Sequence, residues 1–328
     1  MKKKVLLGII ILAVSAMGIY LLLKVDFSPL KNVNPVLLTG LIVISFINLL
    51  IPCICVTILL NGMGYQVRLW QIFQIITGSG LVSGVSSVAL GIPTRAILYQ
   101  AALNIPLEVG SASIILESAL YLIIMGIILV FPVESLWGAG AWVFSLVPLA
   151  LGILLIVMVI VFPMVSKILP KKIFFINLSP ILEKISAFRS AAATVDKIKF
   201  ALAGLVLFIF YLSQGAMLSF LLAEFGTSIP VHQMMYAIVL SYLIGLISLI
   251  PMGIGTRDVT MVVLIERLGA SSDTAAICAL IYRLLGTVVP LIPGIISVNT
   301  LGLKQILQRK KSEDSAKSVN RNNDRLAG

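Results

Sequence analysis

Hydrophobic residues in this chain come in long runs rather than in the narrow stripes of a soluble amphipathic helix. Runs at 5–23, 36–60, 111–131, 142–163, 198–222 and 276–300 are almost wholly apolar. Each is long enough for a helix to cross the ~30 Å of bilayer hydrocarbon, which takes about 20 residues. The pattern predicts an all-α polytopic membrane protein with about six full spans. The first run follows Lys2–Lys4, and its AVSAM end loosely resembles a signal-peptide cleavage site. Its length favours an uncleaved first helix.

The polar stretches between the runs set the orientation. Residues 164–199 carry seven Lys and Arg, and the tail after 303 carries seven more. Loops 132–141 and 223–235 carry none. Positive residues accumulate on the cytoplasmic side, so both termini and the 164–199 loop are expected inside. Two regions then begin and end on one side: 70–110 on the cytoplasmic side and 234–272 on the external side. Each is expected to be a re-entrant helical hairpin that dips into the membrane and returns.

Both hairpins carry one motif. VALGIPTRAI at 88–97 and LIPMGIGTRD at 249–258 share G-I-x-T-R, at Gly91–Arg95 and Gly253–Arg257. The expected breaks are at Gly91 and Pro93 in the first half and at Pro251, Gly253 and Gly255 in the second. Matching breaks on oppositely inserted hairpins are what an inverted-topology repeat produces, and such repeats place a substrate site near the midplane. The halves would run over about 36–163 and 198–300. The basic loop 164–197 would lie between them, within a transmembrane domain 1–303. The tail 304–328 reads as disordered.

Composition agrees. The chain has 328 residues, 59% hydrophobic and 11% charged, and a mean hydropathy of +1.12. Soluble proteins carry about 25% charged residues. The formal charge of +11 is concentrated in the N-terminus, loop and tail, which reads as topology and contact with anionic lipid rather than nucleic-acid binding. Cys53, Cys55 and Cys278 lie in apolar runs and form no disulfide framework, and the single His232, in the external loop, cannot anchor a usual zinc site. No metal and no cofactor is expected. G-x-x-x-x-G-K-[ST], G-x-S-x-G and H-E-x-x-H are all missing.

Ionisable residues at bilayer depth cost about 2.5–3.5 kcal/mol on insertion scales, so they face a partner or a cavity. Arg95, Glu117, Arg257, Asp258 and Arg283 form the candidate substrate-binding set. Arg95 and Arg257 follow the expected breaks, where Thr94 or Thr256 could cap a new helix and its amides could help hold an anion. A guanidinium pairs bidentately with phosphate or carboxylate. The alternative is internal pairing, Arg257 with Asp258 or Glu266, and Arg283 with Glu117 or Asp258. Glu266 and Arg267 read as structural. Pro290 and Pro293 predict a kink in the last span.

These stretches resemble the lysylphosphatidylglycerol synthetase transmembrane family, also described as flippase-like. The resemblance rests on LGIPTRAILYQAALNIPLEVGSASIILES at 90–118, PMGIGTRDVTMVVLIERLGASSDTAAICALIYR at 251–283 and the LIPG close at 291–294. It implies that Gly253, Gly255, Arg257, Asp258 and Arg283 match the stronger motif, and Arg95 and Glu117 the weaker. The chain departs from the pattern where it has Glu117-Ser118 in place of Glu-Arg, and Asp258 where a Glu often follows the glycines. The resemblance implies lipid handling and no lysyl transfer.

The expected function is a lipid translocase of the cell membrane. A phospholipid or lipid-linked headgroup, anionic or zwitterionic, would be its ligand, and a lipid-modifying enzyme a possible partner. A membrane-embedded enzyme or accessory acting on a lipid-linked substrate, such as a glycosyl carrier, is the alternative. It would draw on Asp258, Glu117 or Glu266. A third reading is a scaffold whose basic loop and tail recruit a cytosolic partner.

Overall fold

A computed structural model of the chain describes residues 34–85, 88–131, 143–168, 172–173, 176–177, 194–248, 250 and 253–302. The run at 5–23, most of the loop 164–197, Pro251 and the tail 304–328 lie outside the described residues. Four helices are long and apolar enough to cross a membrane: α1 (Pro35–Gly62), α4 (Leu107–Val130), α6 (Lys197–Glu224) and α9 (Ser272–Thr300). Between them stand α2 (Leu69–Val85), α3 (Val88–Leu103), α5 (Val143–Ile168), α7 (Val231–Ile247) and α8 (Thr256–Arg267). A two-residue antiparallel β pair, Lys172–Ile173 with Ile176–Asn177, is the one non-helical ladder among the described residues.

Local signals explain the ends of these helices. Asn34 caps α1 by accepting from Val36 N–H (2.9 Å), and Asp196 caps α6 by accepting from Ile198 N–H (2.9 Å). At the far ends, Gly64 (φ 88°) and Gly226 (φ 77°) close both helices in the left-handed conformation that favours glycine. Tyr65 N–H then donates to Leu60 O and Thr227 N–H to Leu222 O, each at 3.0 Å. The starts, the glycines and the closing bonds all recur at the 162-residue offset of the G-I-x-T-R motif.

The long helices α1 and α6 lie antiparallel and are tied at both ends. Asn34 N–H donates to Glu224 Oε1 (2.9 Å) at one end, and Lys199 Nζ donates to Asn61 O (3.1 Å) at the other. The α2/α3 hairpin starts from the Asn61 end and comes back to it, where Tyr65–Val67 and Ala102–Ile105 line one shallow cleft. Helix α9 finishes at that same end, because Gln74 Nε2 donates to Thr300 Oγ1 (3.2 Å) and the Thr77 and Ser297 hydroxyls bond at 2.9 Å. The α7/α8 hairpin leaves from the Glu224 end and returns to where α9 begins. The packing partners recur between halves: α2 against α9 answers α7 against α4, and α3 against α4 answers α8 against α9.

The core surrounds α7, in which every residue from Met234 to Ser241 is buried. A helix that is apolar all round belongs inside a bundle. Large apolar side chains are exposed on the outer faces of the long helices, among them Ile47, Leu205, Ile292 and Ile296, as lipid-facing surfaces require. Helix α9 runs on through Pro290 and Pro293 without ending.

The two expected breaks fared differently. In the second half the chain reverses where Gly253 (φ 62°) and Gly255 (φ 81°) stand. In the first half Gly91 and Pro93 lie inside α3, and the reversal comes earlier, between Val85 and Val88. Proline's ring fixes φ near −65°, so position 93 cannot adopt the positive φ that its counterpart Gly255 uses to start a helix. The helix therefore begins upstream of it.

Candidate functional site

The α7/α8 reversal brings Arg257 against α7. A Cβ placed on Gly245 would lie 3.2 Å from Arg257 Cβ and 3.6 Å from Gly253 Cα, so the bare glycine lets the hairpin arms touch. One turn before Gly245 stands Tyr242, and the Arg257 guanidinium sits 3.4 Å from its ring centroid. The Tyr282 ring of α9 lies 5.9 Å from the same guanidinium. Arg257 is half-buried. No carboxylate lies within ion-pair distance of it among the described residues.

Asp258, next in sequence, is turned to other work. Its Oδ2 accepts from Gly255 N–H (3.1 Å), which satisfies an amide at the start of α8. Its Oδ1 lies 3.8 Å from Arg283 Nη1 of α9, in a partly exposed pair. Thr256 is the first residue of α8 and shares a hydroxyl contact with Ser248 (3.0 Å). Thr94, expected as a cap, lies inside α3. Arg257, Asp258 and Arg283 thus form one group over the α8 N-terminus, whose free amides and partial positive charge favour an anion.

Arg95 belongs to a second group. Its Nη1 lies 2.7 Å from Glu117 Oε2 of α4, and its Nε donates to Tyr99 OH (2.8 Å) one turn along α3. Both charged side chains are buried, at 15% and 6% exposure. Glu117 is therefore the partner of Arg95 and not of Arg283. Glu266 accepts from Ser272 Oγ across the α8/α9 turn, a structural role. His232 is exposed in the first turn of α7.

The two groups occupy equivalent places. Glu117 and Tyr282 stand at the same position counted from the helix starts Leu107 and Ser272. One half offers its motif arginine a carboxylate, and the other offers aromatic rings. Aromatic contacts connect the groups. Tyr121, one turn beyond Glu117, meets Tyr211 of α6 edge to face at 6.3 Å, and Tyr211 lies within electrostatic reach of Tyr242, Tyr282 and Arg257.

The family described as Lysylphosphatidylglycerol synthase TM region matches residues 5–294. The chain belongs to this family. No curated protein matches it. The family match covers both arginine groups and all four long helices, and it identifies a multi-pass membrane protein with a lipid-related role.

Tyr242 and Tyr282 were not singled out by sequence reasoning. The available signal was position. Tyr282 precedes Arg283 within the family-like stretch, and Tyr242 lies one turn before the glycine at which the hairpin arms touch. Tyr121 and Tyr211 carried no signal, because aromatic residues in apolar runs are ordinarily core.

Proposed function

We propose that this protein is a lipid translocase that takes the phosphate of an anionic or zwitterionic lipid headgroup at Arg257, Asp258 and Arg283. The carrying observation is the contrast between the motif arginines. Arg95 is matched by a buried carboxylate at 2.7 Å, whereas Arg257 rests on the Tyr242 ring beside the amides of α8. A guanidinium on an aromatic face keeps its N–H edges available for a bidentate anion. Arg283 adds a second cation, and Asp258 holds it in place. Arg95 and Glu117 serve as the neutral, structural counterpart in the other half.

An inverted-topology repeat would supply the movement. Its support is the antiparallel α1/α6 pair, the hairpins returning to opposite ends and the recurrence of caps at one offset. Rocking of one half against the other would expose the site to each leaflet in turn. In this reading the basic 164–197 loop and the tail face the cytoplasm, and a lipid-modifying enzyme supplies the substrate. The test is purified protein in liposomes carrying a fluorescent anionic phospholipid, with leaflet exchange followed by quenching. Exchange above protein-free liposomes that drops in Arg257→Ala supports the proposal. Wild-type exchange no faster than in empty liposomes defeats it.

A further inference from the structure

At mid-depth, where α1 crosses α6, the interface carries polar groups that the two arginine groups do not involve. The face of α1 toward α6 follows heptad spacing through Leu41, Ser45, Asn48, Pro52, Cys55 and Leu59. Leu41, Cys55 and Leu59 share one buried cluster with Leu207, Leu218 and Leu221 of α6. The seam is thus apolar toward both ends and polar in the middle. Asn48 is 5% exposed, and neither its Oδ1 nor its Nδ2 has a hydrogen-bond partner. Gln214 of α6 is 9% exposed, and its Oε1 is likewise unpartnered.

These residues stand at one level. Ser45 Oγ touches Met217 Sδ at 3.5 Å across the antiparallel pair. Moving three residues forward on α1 and three back on α6 keeps the same height and nearly the same face, which sets Asn48 opposite Gln214. The proline adds a further acceptor. Pro52 has no N–H to give the carbonyl four residues back, which is that of Asn48. Acceptors therefore outnumber donors: two amide oxygens and a freed backbone carbonyl against one NH2. Ser45 Oγ, whose neighbour is only a weak thioether acceptor, can turn toward them.

An unpartnered polar group in a dry interior is costly, and most such groups meet a ligand, an ion or water. Neutral oxygens gathered around a freed helix carbonyl are what a hard monovalent cation prefers, as at broken helices of ion-coupled transporters. Carboxamide and carbonyl oxygens give no net negative charge, so a divalent ion would be poorly compensated. We infer that Asn48, Gln214 and the Asn48 carbonyl form a sodium-selective cation site at the α1/α6 crossing. The inference goes beyond the lipid reading and does not depend on what the Arg257 group carries.

The test uses purified full-length protein in detergent. Radioactive 22Na+ binding is measured directly, and melting is followed in NaCl, KCl and choline chloride at equal ionic strength. The wild type is expected to retain about one sodium ion per chain and to melt higher in sodium, by on the order of 2 °C. Asn48→Leu and Gln214→Leu should fold, since each replaces an unpartnered amide with an apolar group of similar size, and both should lose the sodium-dependent shift. No 22Na+ binding by the wild type together with melting indifferent to the cation means that the amides hold water only, and it overturns the proposal. Sodium binding that survives in both variants overturns it as well, by placing the ion elsewhere. Neither readout involves lipid, so either failure leaves the translocase reading to its own assay.

Discussion

The Arg257 guanidinium lies 3.4 Å from the centroid of the Tyr242 ring, across the tip of the α7/α8 hairpin. Two features set this contact. The bare Gly245 allows the arms to approach, and Gly253 and Gly255 take the positive φ that turns the chain. An aromatic face stabilises a cation by about 0.5–2 kcal/mol without covering its hydrogen-bonding edges. A carboxylate in the same place would neutralise it.

The first prediction separates ring from hydroxyl. Tyr242→Phe keeps the face under Arg257 and should leave lipid exchange within about two-fold of wild type. Tyr242→Leu removes the face and should lower exchange by roughly three- to tenfold, since about 1.4 kcal/mol is a factor of ten. Arg257→Ala should lower it by tenfold or more, on the scale of a charge-assisted hydrogen bond of about 1.5–3 kcal/mol. Initial rates in proteoliposomes measure all three. Equal rates for Tyr242→Leu and wild type would show that the aromatic seat is incidental.

Arg95 and Glu117 should behave in the opposite way. Removing one partner of a buried pair strands the other charge, at a cost of about 3–5 kcal/mol. Glu117→Gln is therefore expected to lower thermal stability in detergent markedly, and Arg95→Met likewise. Replacing both together by Met should recover much of the loss, because an apolar pair of similar volume needs no compensation. Fluorescence-detected size exclusion after heating gives the comparison. Two single losses that simply add in the double variant would exclude a coupled pair.

How much of this was legible beforehand follows from where charge and glycine stand. Long apolar runs and basic loops disclosed the spans, because burial in hydrocarbon leaves little choice of residue. The second-half break was legible because Gly253 and Gly255 permit a conformation that other residues resist. The first-half break was misplaced because Pro93 looks like an interruption, yet α3 continues through it. The candidate arginines and acids were identifiable by cost alone, but their partners were not. Pairing Glu117 with Arg95 depends on α3 lying against α4, and only the packing supplies that. The tyrosines beside Arg257 were hidden because a phenol in an apolar run looks like ordinary core.

The repeated helix ends yield a prediction about equivalence. Gly64 and Gly226 hold φ 88° and 77° at the closing turns of α1 and α6. Nothing lies within 4 Å of a Cβ built on either, so substitution meets no clash and only the backbone conformation resists it. Gly64→Ala and Gly226→Ala should each cost about 1 kcal/mol, and by similar amounts. Melting of the single variants and the double checks this. The sites are at opposite ends of the bundle, so the two effects should add.

The last prediction concerns the seam where α2 meets the end of α9. It is hydrogen-bonded at Thr77–Ser297 (2.9 Å) and Gln74–Thr300 (3.2 Å), whereas the corresponding α4/α7 seam is built from buried apolar residues such as Leu129 and Tyr236. Helices in a bilayer gain little from hydrophobic burial against one another, so packing and hydrogen bonds decide their association. Hydroxyl pairs of this kind couple by about 0.6 kcal/mol in a membrane protein. In a cycle of Thr77→Val, Ser297→Ala and the double variant, the coupling should be near that size. The cysteine pair Thr77→Cys with Ser297→Cys should form a disulfide on mild oxidation, seen as a reductant-sensitive mobility shift, because the parent oxygens are already in contact. Failure of that cross-link under conditions that oxidise exposed thiols would mean that α2 does not lie against the end of α9, and the pairing of halves derived from that packing would fall with it.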